Sequence, residues 1–76
     1  LAVEVLSPSN RRGEIDRKMR DLFLAGTKLA WIIQPETRTA EAYTSPTRRK
    51  RIAADGALEG GKVLPGFRLP LAEVFA

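Results

Sequence analysis

Leu1-Ala2-Val3-Glu4-Val5-Leu6-Ser7-Pro8-Ser9 opens the chain, and its reading decides the fold. Five of the first six residues are apolar, the pattern of a strand buried on both faces, and the Ser-Pro-Ser cluster then turns the chain. One carboxylate, Glu4, stands in the middle. Burying it is costly unless it is paired, protonated or bound to a cation. On an alternating strand Glu4 shares a face with Ala2 and Leu6, while Leu1, Val3 and Val5 point the other way. A wetted edge position or an ion pair without chemistry would account for it as simply as a functional role.

Working outward, Ile15, Met19, Leu22 and Phe23 recur at helical spacing and predict a helix from about Asn10 to Ala25. Ser9 or Asn10 is placed to cap it, and Gly26 stands where a left-handed C-terminal cap is expected. Lys28-Leu29-Ala30-Trp31-Ile32-Ile33 is the next strand, stopped at Gln34-Pro35. Strand, helix and strand in this order predict a βαβ unit with parallel strands and a right-handed crossover. Pro35-Glu36-Thr37 is a turn, and Arg38–Thr44 reads as an antiparallel neighbour of the Trp31 strand. Arg48–Ala53 predicts a further strand, Asp55-Gly56 a turn and Lys62–Leu64 a minor strand. Pro70 is placed for the first turn of a short terminal helix, Leu71–Phe75. The fold class expected is α/β: a mixed sheet with a βαβ unit, antiparallel strands after it, and a short C-terminal helix.

The 76 residues suffice for at most one small domain, with a marginal core. A start inside a buried-type strand leads to the expectation that residues 1–76 are the C-terminal half of a domain, its N-terminal half absent. The chain has no cysteine and no histidine, which excludes disulfides, thiolate or imidazole metal sites and His-based triads. Hydrolytic chemistry would rest on carboxylates, lysines, hydroxyls and a hard cation. The net charge of +4 favours an anionic partner, nucleic acid first, although it also serves plain solubility. No apolar run approaches the roughly 20 residues of a membrane span, no signal peptide is visible, and the expected compartment is the cytoplasm.

Lys18 gives Glu4 a candidate partner. It lies three residues after Ile15 and four before Leu22, on the side of the helix that a crossover packs onto the sheet. The alternative is a lysine snorkelling at the apolar margin. As a pair, Glu4 would bind Mg²⁺, and Lys18 would position water or offset charge in the transition state. One carboxylate makes a poor Mg²⁺ site, and Asp16 and Asp21 point away, leaving Glu14 near the helix start. Arg11 and Arg12 flank the helix N-terminus, and Arg48-Arg49-Lys50-Arg51 follows a turn. Both groups suit phosphate contacts, the alternative being a solvated hairpin tip. Trp31 is expected in the core, and Ser7 and Ser9 in turn and cap roles.

These residues resemble a known family. Val3-Glu4-Val5-Leu6-Ser7-Pro8-Ser9, Lys18 on a helix ending at Ala25-Gly26, and Trp31-Ile32-Ile33-Gln34-Pro35-Glu36 are similar to the putative restriction endonuclease family long described as a domain of unknown function. Leu64-Pro65-Gly66-Phe67 and Leu71–Phe75 resemble its C-terminal end. That family belongs to the PD-(D/E)xK superfamily, which hydrolyses phosphodiester bonds with Mg²⁺ using an aspartate on one strand and Glu-x-Lys on the next. The resemblance implies that Glu4 is the glutamate, that Lys18 is a lysine migrated from the position of Leu6, and that the Val5 backbone carbonyl contacts the metal. It implies DNA as the substrate. The metal-binding aspartate has no counterpart in these residues, and Leu22 stands where tyrosine is frequent. An isolated chain is therefore expected to be inactive. The rival expectations are a non-catalytic nucleic-acid-binding module using Arg48–Arg51, and an interaction module whose open sheet edge pairs with another chain, as in a homodimer.

Overall fold

The computed structural model describes residues 1–76. The chain runs β1 (Ala2–Val5), α1 (Arg12–Leu24), β2 (Ala30–Gln34), β3 (Thr39–Tyr43), β4 (Arg49–Ile52), β5 (Ala57–Glu59), β6 (Arg68–Pro70) and α2 (Leu71–Val74). A four-stranded sheet has the order β1-β2-β3-β4, and β5 and β6 form a second, two-stranded sheet. β1 and β2 are parallel, with Glu4 opposite Ile32, and the pairs β2–β3 and β3–β4 are antiparallel. The expected βαβ unit, the antiparallel strands and the terminal helix are all present.

Two apolar clusters explain why β2 is apolar along most of its length. On one face Ala30 and Ile32 meet Ile15 and Met19 of α1, together with Tyr43. On the other, Leu29, Trp31 and Ile33 pack with Ala40, Ile52, Leu58 and Leu71. The sheet therefore lies between α1 and a layer made of β5, β6 and α2. Trp31 is in the core as expected, its ring stacked on Phe67 with centroids 5.5 Å apart. Full burial of a side chain such as Met19 or Leu71 stabilises the fold by about 1.5–3 kcal/mol.

α1 ends as the sequence predicts. Gly26 adopts φ +106°, its N–H bonds to Phe23 O, and Thr27 N–H bonds to Leu22 O, the pair of a Schellman cap. Its start differs. The N-cap is Arg11, without a side-chain cap bond, because the Asn10 amide oxygen turns back to accept from Ser7 N–H at 2.7 Å. The helix thus begins two residues later than expected.

Within residues 1–76, β1 is less covered than its apolar pattern implies. It is an edge strand, and Val3 and Val5 are 52% and 64% exposed, because the β5–β6–α2 layer does not extend across it. The strand is covered on the α1 side alone. The expected minor strand Lys62–Leu64 is instead a turn. Val63 and Leu64 N–H both bond to Gly60 O, and a Cβ on Gly60 would meet Leu64 O at 2.2 Å. This fold-back joins β5 to β6, a pairing the sequence did not reveal. No helix is long and apolar enough to cross a membrane.

Candidate active site

Strand alternation sets Glu4 beneath α1. Ala2, Glu4 and Leu6 face the helix, and Lys18, one turn beyond Glu14 and beside Met19, reaches down to the strand. Lys18 Nζ lies 2.9 Å from Glu4 Oε1, with side chains 55% and 31% exposed. The pair inferred from helix and strand periodicity thus forms. It lies in a small cleft of about 210 Å³ whose lining includes Glu4, Val5, Asn10, Glu14, Lys18 and Ile32. Glu14, a minor candidate by sequence, faces the same cleft because it lies one helical turn before Lys18.

The remaining acceptor capacity of Glu4 matters for chemistry. Oε1 is engaged by Lys18, whereas Oε2 makes no hydrogen bond within the chain. The main chain of β1 adds another group. Ala2 N–H bonds to Leu29 O and Leu6 N–H to Ile33 O, so the even-numbered residues turn their backbone groups to β2. By the alternation of a parallel ladder, the Val5 carbonyl faces the open edge. A carboxylate oxygen, a second carboxylate on Glu14 and a free carbonyl are oxygen donors of the kind a hard divalent cation takes. They fit such a cation incompletely: no group of three or more acidic side chains occurs in the chain.

A second carboxylate cluster lies on the same sheet face. Register places Glu41 of β3 opposite Ile32, and Glu4 is opposite Ile32 from the other side. Glu41 is buried and has three partners: Arg12 at 3.2 Å, Arg49 at 3.1 Å and Gln34 at 3.5 Å. Arg12 also pairs with Asp16 at 3.3 Å and donates to the Tyr43 hydroxyl, as does Arg49. Burial, reinforced by the charge of Glu41, raises the Tyr43 pKa above its ordinary value, against the lowering effect of Arg12. Burial also lowers the Arg12 pKa, but Tyr43 and Glu41 together outweigh it and the net shift is upward. This network was missed by sequence reasoning. Its one legible signal is that Thr39, Glu41 and Tyr43 share a strand face with a regular alternation.

The network divides the basic residues. Arg12 and Arg49 are held by Glu41, while Arg11 is exposed at the helix start. Arg48, Lys50 and Arg51 are exposed at the opposite end of the sheet from Glu4. Three strand spacings, about 14 Å, separate β1 from β4.

The comparisons with known proteins point one way. The family model described as "Uma2: Putative restriction endonuclease" matches residues 1–72. Among solved structures, the chain is similar to a putative nuclease belonging to DUF820 from Anabaena variabilis, with a TM-score of 0.77 over 96% of this chain and 19% identity. At that identity the likeness is one of fold. The chain spans 41% of the length of that structure's chain. No curated protein matches.

Proposed function

The chain belongs to the Uma2 family of putative restriction endonucleases, and from that membership we propose that it supplies part of the active site of a Mg²⁺-dependent endonuclease acting on DNA. The observation that carries the reading is the 2.9 Å contact between Lys18 and Glu4 in an oxygen-lined cleft. In this reading Glu4 would hold the cation through its free oxygen, with the Val5 carbonyl as a further donor. The cation, when bound, supplies an activated water and neutralises charge on the phosphoryl group. Lys18 orients the Glu4 carboxylate, and its ammonium orients the attacking water or offsets charge developing on the phosphate oxygens. Ile32 and Met19 supply apolar walls of the cleft.

The donor set is short of a complete site. We propose that a further acidic ligand comes from outside these 76 residues, and that the chain alone does not cleave DNA. The test is nicking of supercoiled plasmid by a protein that contains this chain within its complete domain. Cleavage is expected with Mg²⁺ and not with EDTA, and is expected to be lost in Glu4→Gln and in Lys18→Ala. Full-rate cleavage by either variant overturns the assignment, and Mg²⁺-dependent nicking by the 76 residues alone overturns the proposal of a missing ligand.

The absence of a third acidic ligand favours one other reading, a non-catalytic module that binds nucleic acid and in which Glu4–Lys18 is only an ion pair. Salt-sensitive DNA binding with no cleavage by the complete domain under any divalent cation would select it.

A further inference from the structure

The exposed part of the basic run lies along a groove that the Glu4 site does not use. The groove, of about 820 Å³, runs between β4 and the β5–β6 sheet. Arg48, Lys50 and Arg51 line one side together with Arg49, which Glu41 holds, and Arg68 of β6 adds a fourth free cation. None of the four free cations has an acidic partner within ion-pair distance, since the chain's ion pairs involve Arg12, Lys18 and Arg49. The hydroxyl-bearing Thr44 and Thr47 also line it, and Glu59 is the single carboxylate.

Unpaired cations around a concave surface are the electrostatic counterpart of a polyanion, and threonine hydroxyls are ordinary donors to phosphate oxygens. From Arg48 to Arg51 the strand advances about 10 Å, the axial rise of about three nucleotides of one strand. We infer that this groove binds the sugar–phosphate backbone of a nucleic acid, with Arg68 as a contact residue and with Arg12 and Arg49 excluded from that role. The inference rests on the nuclease reading for its choice of polyanion. It adds a place: the backbone is gripped at the β4 edge, on the sheet face opposite the one that carries Glu4 and three strand spacings, about 14 Å, across the sheet from β1.

Charge on an edge strand also deters pairing with another sheet. That role needs charge of either sign on β4 and does not involve Arg68, which gives the test its contrast. Binding of a fluorescein-labelled duplex 16-mer and of its single strand is followed by anisotropy in EDTA, between 50 and 200 mM salt, so cleavage plays no part. Wild type is expected to bind one or both forms with an affinity that falls linearly on logarithmic axes as salt rises. Arg68→Ala and Lys50→Ala are each expected to reduce the slope by about one. Arg68→Glu combined with Lys50→Glu is expected to weaken binding at least tenfold at 50 mM salt while circular dichroism and light scattering stay unchanged. Glu4→Gln is expected to bind as wild type, which separates this inference from the catalytic one. Unchanged affinity and slope in Arg68→Ala, Lys50→Ala and the double reversal overturn the groove, even where the complete domain cleaves DNA. Loss of cleavage in Glu4→Gln with binding intact leaves it standing.

Discussion

Glu4 and Glu41 stand in one row of the sheet, on either side of Ile32 and on the same face. They nevertheless have opposite surroundings. Glu41 is buried near the sheet centre, where two guanidiniums and an amide converge on its oxygens. Glu4 is on the edge strand, about one-third exposed, with one lysine on one oxygen. A buried carboxylate with both oxygens already engaged by guanidiniums has little room for a new ligand without disturbing bonds inside the protein. A carboxylate with a free oxygen in a wet cleft has that room. The difference teaches that the Arg12–Glu41–Arg49 network ties α1 to β3 and β4, whereas Glu4 retains capacity for chemistry.

Exchanging these two roles by mutation should have opposite signatures. The largest effect is expected at the Glu4 site. In the complete domain, Glu4→Gln or Lys18→Ala should lower cleavage about a thousandfold, equivalent to about 4 kcal/mol, as loss of an electrostatic contact to a transition state does. Thermal unfolding of the same variants should change by less than about 1 kcal/mol, because the pair is solvent-exposed. Glu41→Ala should do the reverse. It leaves two guanidiniums without their carboxylate and should destabilise by about 3 kcal/mol, at the low end for a broken buried pair because both arginines reach solvent. Urea denaturation is the direct measurement, and a stability equal to wild type would contradict the structural role.

A subtler experiment concerns where the ammonium comes from. Leu6 shares the face of Glu4 and lines its cleft. If position of charge is what matters, Leu6→Lys in the Lys18→Ala background should recover about tenfold of the lost cleavage. No recovery would mean that Lys18 acts through the helix rather than through its charge.

The smallest effect is in pH. Tyr43 is the chain's one tyrosine, so its phenolate absorbance reports a single site. Its raised pKa means that the folded state holds the proton more tightly than the unfolded chain. Its contribution to stability is therefore full below about pH 10, the unfolded value, and is lost as pH rises through the folded pKa. The absorbance midpoint should lie above that of the urea-unfolded chain, and Tyr43→Phe should flatten the alkaline fall in stability. A midpoint at or below the unfolded value would show that the Glu41 cluster does not govern this side chain.

Much of the fold was legible because local rules decide it. The helical spacing of Ile15, Met19 and Leu22 could serve only a helix, and Gly26 supplied the positive φ that its cap requires. The apolar run around Trp31 announced a strand covered on two faces. The β5–β6 pair was not legible, because it depends on Gly60 tolerating Leu64 against its backbone, a contact between residues that carry no strand pattern. What covers Val3 and Val5 of β1 was not legible for a related reason. Apolar composition states what a strand can bury and says nothing about whether a layer lies over it.

The candidate site divides along the same line. By itself the sequence determined that Glu4 lies on a strand face, that Lys18 lies on the sheet-facing side of the next helix, and that no thiol or imidazole takes part. These follow from periods of two and 3.6 residues and from composition. Only the tertiary structure decided that the two side chains meet, that Glu14 joins their cleft, and that Arg12 and Arg49 are held by Glu41 while Arg68 joins the free cations. Strand register and helix placement bring together residues 29 and more positions apart, as Arg12 and Glu41 are. Local periodicity cannot encode that distance, because it fixes the face on which a side chain lies but not what lies opposite.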